Sequence, residues 1–145
     1  MPSFSKKSKD MLKQCHPDIQ KIMNEAIKYI DFSIVEGART EEQQMRYFME
    51  GKSKTMNSKH LLEYSKEYKH NYSNAIDIIP YFSSEPHLDW NDREEFCILA
   101  GVILGIAKML KDRGEIKSDI RWGGKWNNER LKDNSFVDMP HFERV

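Results

Sequence analysis

Between Ala75 and Pro80 the chain reads Ala-Ile-Asp-Ile-Ile-Pro, a β-prone run with a carboxylate, Asp77, set among isoleucines. An ionised carboxylate among buried side chains is costly unless it meets a cation or a metal. Any fold of this chain must bury that strand and still give Asp77 a partner. Upstream, Met11, Leu12, Ile19, Ile22, Met23, Ala26, Ile27 and Ile30 follow a helical period broken near His16 and Pro17. Two helices fit, with Pro17 in the first turn of the second. Phe32, Ile34 and Val35 before Gly37 read as a short strand running into a tight turn. Thr40 and Gln43 have capping-box spacing and open a helix over about Glu41 to Glu50, ended by Gly51. From Lys52 to Asn74 the chain is polar and aperiodic, and reads as a long loop with at most one helical turn. Beyond Asn91, a candidate cap, Phe96, Leu99, Ala100, Ile103, Leu104, Ala107 and Leu110 mark an amphipathic helix that stops near Gly114. "DIRWGGKW" and "DMPHFERV" suit strands beside turns. Helices and short strands without βαβ alternation indicate α+β: a single compact domain over residues 1–145, with helices packed on a small, mainly antiparallel sheet.

Bulk properties exclude several function classes. A chain of 145 residues supports one core, not two. Lys+Arg and Asp+Glu both number 23, so no net positive field draws it to nucleic acid or anionic lipid. No apolar signal-peptide region and no run of 18 apolar residues occurs, so neither a signal peptide nor membrane insertion is expected, and the protein should stay in the cytoplasm that makes it until released. Cys15 and Cys97 lack metal-ligand spacing and read as buried thiols. His16 and His87 have no partner in the pattern and read as surface residues. Tyr81, Phe82 and Trp90 read as core or rim, while Trp122 and Trp126, flanking Gly123 and Gly124, suit either a cleft wall or the core.

Three separate features point to one metal site. His60 ends "NSKH" in the polar loop, Asp77 interrupts its strand, and Asp138 and His141 flank Pro140, which restrains Met139 before it. A lone loop histidine is usually just solvated; it becomes a ligand only with partners. His60, Asp77 and His141 together supply three zinc ligands and leave the fourth position for water, the catalytic rather than the structural arrangement. Hydrolysis also needs a base and a group to hold the oxyanion. Asp138 and Arg39 are the candidates, although an ordinary surface ion pair explains Arg39 equally well.

These segments carry a family resemblance. "HPDIQKI", "EGART" with a following Gln, "GKSKTMNSKH", "AIDIIPY", "DW", "RWGGKW" and "DMPHFE" come in the order of the phage L-alanyl-D-glutamate endopeptidases, relatives of the zinc D,D-carboxypeptidases and D-Ala-D-Ala dipeptidases. The chain resembles them over nearly its whole length. The resemblance implies Zn²⁺ on His60, Asp77 and His141, Asp138 as the catalytic carboxylate and Arg39 as the oxyanion cation. It also implies a peptidoglycan stem peptide as substrate, and a monomeric lysis enzyme held in the host cytoplasm until it reaches the wall. One departure is the 17-residue separation of His60 and Asp77, longer than the family's. His70, seven residues before Asp77, has the family spacing, but "GKSKTMNSKH" gives His60 the family context, which favours His60. Rival readings are a D,D-carboxypeptidase or dipeptidase and a non-catalytic, zinc-stabilised wall-peptide binding module; the latter has no need of Asp138.

Overall fold

A computed structural model of the chain describes residues 2–53 and 55–145; Lys54, inside the expected loop, and Met1 lie outside the described residues. The elements in chain order are α1 (Lys6–Lys13), α2 (Pro17–Ala26), β1 (Phe32–Glu36), α3 (Glu41–Met49), β2 (Leu62–Ser65), β3 (His70–Ser73), β4 (Ala75–Pro80), α4 (Arg93–Asp112), β5 (Ile120–Trp122), a 3-10 turn (Leu131–Asp133) and β6 (His141–Arg144). The α+β expectation holds. One antiparallel sheet has the order β1-β4-β6-β5, and β2 and β3 form a separate hairpin.

Strand periodicity gives the sheet two chemically opposite faces. Ile34 lies opposite Ile78, Ile76 opposite Phe142, and Phe142 opposite Trp122. All five belong to the buried core, which they share with Ile19, Ile22 and Met23 of α2 and Leu99, Ile103 and Leu110 of α4. The other face carries charge. Glu36 pairs with Asp77, Asp77 with His141, and Arg121 with Glu143, two residues along β6 from His141. A single register therefore lays four ionisable side chains and a histidine across one surface, because directly opposed residues share a face.

Local signals explain the helices. Thr40 caps α3 through a full capping box with Gln43, Pro17 opens α2, and α4 ends two residues before Gly114. Asp92, not Asn91, caps α4 by accepting from the Glu95 N–H. Three expectations need correction. The supposed loop from Lys52 to Asn74 contains the β2–β3 hairpin; exposed to water over most of both faces, it has no apolar alternation to betray it. His16 is buried rather than superficial: its Nδ1 caps α2 by accepting from the Asp18 N–H at 3.0 Å, and its ring meets Tyr68 and Tyr72 of the hairpin edge-on. Cys15 is fully buried, but Cys97 only partly. Trp122 belongs to the core, while Tyr81 and Trp90 are exposed.

Asp18 ties the start of α2 to the approach to β5. Its Oδ2 accepts from the Lys117 and Ser118 N–H groups and, at 2.6 Å, from the Ser118 hydroxyl. Burial raises its pKa, but these bonds outweigh that and hold it below the ordinary carboxylate value. A depressed folded-state pKa stabilises above the unfolded value and is lost as pH falls through the folded one. Asp18→Asn should cost about 1.5–3 kcal/mol at neutral pH. In denaturant melts the gap from the parent should close as pH falls below about 4; a gap independent of pH would show that charge is not what the site uses.

Candidate metal centre

Strands deliver two of the three candidate ligands. Asp77 and His141 face each other across the β4–β6 ladder, with Asp77 Oδ1 3.1 Å from His141 Nδ1. His60 comes from the chain just before the hairpin. The Arg39 N–H bonds the His60 carbonyl at 2.8 Å, and the Asn74 N–H bonds the Lys59 carbonyl at 2.9 Å. The excursion from Leu61 to Ser73 thus returns to where it left, and the extra length does not separate His60 from Asp77. His60 Nε2 lies 3.3 Å from Asp77 Oδ1 and 3.2 Å from His141 Nδ1. His70 sits exposed on β3, with its ring 4.9 Å from that of Tyr72, outside this cluster.

The three donor atoms form a nearly equilateral triangle. Tetrahedral zinc with bonds of about 2.0–2.1 Å needs its ligand atoms about 3.3–3.4 Å apart, so the donor set suits that ion. The far nitrogens agree. His60 Nδ1 lies 2.7 Å from the Gly37 carbonyl, and His141 Nε2 lies 2.9 Å from Glu143 Oε1. Each acceptor fixes a proton on the far nitrogen and leaves the near one, His60 Nε2 or His141 Nδ1, as the lone-pair donor. Gly37 must be glycine for this to work: a Cβ there would sit 2.7 Å from the Met11 carbonyl oxygen.

The charges are strongly coupled. Burial disfavours ionised Asp77, but its bonds to His141 and His60 hold it well below the usual carboxylate range. Burial likewise works against a charged His141, yet its bonds to Asp77 and Glu143 push it up to about 9 in the metal-free chain. Asp138 is raised, first by burial and then by the charge of Asp77; its Oδ2 lies 4.0 Å from His141 Nδ1. Its backbone is pinned, with the Asp138 N–H bonding the Gly123 carbonyl at 2.8 Å, and a Cβ on Gly123 would collide with the Asp138 carbonyl.

The centre opens into a cleft of about 690 Å³, lined among others by Arg39, Tyr47, Trp126 and Asp138. Arg39 Nε donates to Glu36 at 2.6 Å, Nη1 donates to Gln44 at 2.6 Å, and the guanidinium lies 4.7 Å from the Tyr47 ring. Gln44, fully buried, also donates to the Ser53 hydroxyl and the Thr55 carbonyl. Glu36, Gln44 and Glu143 were not anticipated from the sequence. Glu143 was within reach, since two residues along a strand restores the same face; a lone helical Gln has no comparable signature.

Residues 2–145 match the family model described as phage L-alanyl-D-glutamate peptidase. The chain belongs to that family. No curated protein matches it at a significant level. Among solved structures it is similar to the Serratia marcescens L-Ala D-Glu endopeptidase ChiX, with a TM-score of 0.74 and 22% identity over 99% of this chain and 91% of that one. At that identity the likeness establishes the shared fold. No helix among the described residues is long and apolar enough to cross a membrane.

Metal titrations test the centre. Zinc uptake at neutral pH should release about one proton, because a group held near 9 must give up its charge to ligate. Glu143→Gln should weaken zinc about 10- to 100-fold, His60→Ala should abolish tight binding, and His70→Ala should leave it intact. Tight binding by His60→Ala with loss in His70→Ala would reassign the ligand.

Proposed function

We propose that this peptidase hydrolyses the L-Ala–D-Glu bond of peptidoglycan stem peptides, using Zn²⁺ held by His60, Asp77 and His141. The observation that carries the reading is the donor triangle of 3.1–3.3 Å, with both far imidazole nitrogens committed to fixed acceptors. When bound, zinc supplies an open coordination position and polarises an oxygen placed there. The chain's own residues do the rest. Asp138, with its Oδ2 4.0 Å from His141 Nδ1 and its pKa held above the ordinary value by burial, accepts a proton from the attacking water and passes it to the leaving amine. Arg39, fixed by Glu36 and Gln44 against Tyr47, lines the cleft and turns its guanidinium to the developing oxyanion, with its Nη2 unbonded among the described residues. The protein acts as a monomer on the wall, from a host cytoplasm where it waits until another factor opens the membrane.

Purified peptidoglycan digested with the zinc-loaded protein should yield new N-terminal D-glutamyl and C-terminal L-alanyl ends by mass spectrometry. Release of terminal D-alanine instead would favour the D,D-carboxypeptidase reading. Asp138→Asn should keep its zinc and lose on the order of 10²-fold or more in turnover. Unchanged turnover would remove Asp138 as the base, and an intact wall would leave a binding module.

A further inference from the structure

The cleft contains two arginines in opposite electrostatic circumstances. Arg39 is neutralised by Glu36 at 2.6 Å. Arg121, on β5, has no ion pair within 4 Å among the described residues; its cross-strand neighbour Glu143 feels its charge but is bonded to His141. The Arg121 guanidinium stacks 4.6 Å from the centre of the Trp126 ring, and its Nη2 donates to the Trp126 carbonyl at 2.9 Å. Trp126 in turn lies 5.3 Å, ring to ring, from His141, so the pair sits one side chain away from the candidate metal ligands.

Two buried side-chain polar atoms among the described residues lack a partner: Arg121 Nε and Trp126 Nε1. Leaving a buried donor without an acceptor is unfavourable. Here two such donors belong to one stacked pair, and both residues line the catalytic cleft. Both are N–H groups, and one belongs to a permanent cation. Together they suit an anionic oxygen ligand, for which a guanidinium is the best-matched side chain. Because both donors are buried beneath the stack, a ligand reaches them only as the indole tilts off the guanidinium.

The substrate class supplies that anion. A glutamyl residue has two carboxyls, and a peptide that continues through one leaves the other ionised. Around the metal centre, Asp77, Asp138, Glu143 and Glu36 all repel such a group; of the other cations lining the cleft, Arg39 is paired with Glu36, Lys52 with Glu50, and Lys59 donates to the Arg144 carbonyl. We propose that Arg121, assisted by the Trp126 indole N–H, receives the free carboxylate of the glutamyl residue on the leaving side of the scissile bond. This rests on the bond assignment above and adds the means by which the site selects that residue.

The test uses the zinc-loaded protein and two synthetic stem peptides that differ only in whether the unlinked D-glutamyl carboxyl is the acid or its primary amide. The parent should prefer the acid in kcat/KM by about 10- to 100-fold. Arg121→Met should lose that preference by losing rate on the acid, mostly through KM, while its rate on the amide stays within about threefold. Arg121→Lys should restore part of the preference, and Trp126→Phe, which keeps the aromatic stack, should reduce it. Thermal melts and zinc content confirm that each variant is intact. An equal loss on both peptides would show a structural role and overturn the proposal, as would a parent indifferent to acid and amide. Failure of the parent to cut either peptide at the alanyl–glutamyl bond would remove the bond assignment itself.

Discussion

The fold is organised around one unfavourable placement, a carboxylate in the middle of the central strand. Asp77 sits between Ile76 and Ile78, both fully buried, and its strand is flanked on both sides. Burying an unpaired charge there costs several kcal/mol or more. Strand alternation makes the placement tolerable by turning Asp77 away from the isoleucines toward the charged face. Register then brings His141 opposite, and the Arg39–His60 backbone bond brings the second imidazole over it. Each contact is simple secondary-structure geometry, yet together they converge three donor atoms on one point.

Convergence alone would give only a hydrogen-bonded cluster. What suits it to a metal is that every imidazole nitrogen has an assigned task. The Gly37 carbonyl and the Glu143 carboxylate hold the outer nitrogens, so each ring presents a lone pair inward at a fixed angle. The Gly37 carbonyl is available because a glycine allows β1 to exit against the Met11 carbonyl. Packing between α1 and the end of β1 therefore reaches the candidate metal site through one peptide group. Glu143 does the same from the sheet side, where it stands across the ladder from Arg121 and feels its charge.

The elements legible in the sequence were those whose cause is local. Pro17, the Thr40–Gln43 box and the apolar stripe of α4 each carry their signal within one or two turns, and each element formed where expected. Asp77 was legible for a different reason: a charge in a β-prone run is a conflict that demands a partner. What could not be read depended on distant contacts. His16 looks like a surface residue until its capping role and the Tyr68 and Tyr72 rings are seen to cover it. The β2–β3 hairpin bears so little on the core that its strands have no hydrophobic pattern. Arg121 looked like part of a strand motif, and its stack on Trp126 exists only in three dimensions.

The hairpin also explains how a histidine so far from Asp77 in sequence serves the same point in space. Closing a longer loop costs only about 0.6 kcal/mol per doubling of its length. The Asn74–Lys59 backbone bond and the Ser73 hydroxyl, which donates to the Ala75 carbonyl at 2.7 Å with the Gly37 carbonyl 3.2 Å away, pin the point of return. With that base fixed, the number of residues between Leu61 and Ser73 is not what sets the distance between His60 and Asp77. Spacing along the chain thus does not decide which histidine joins Asp77 and His141, whereas the neighbours of His60 make the contacts that aim its ring: the Ser58 hydroxyl accepts from the His60 N–H, and the His60 carbonyl accepts from the Arg39 N–H. His70 has the shorter spacing but stands on the part of the hairpin that the base leaves free.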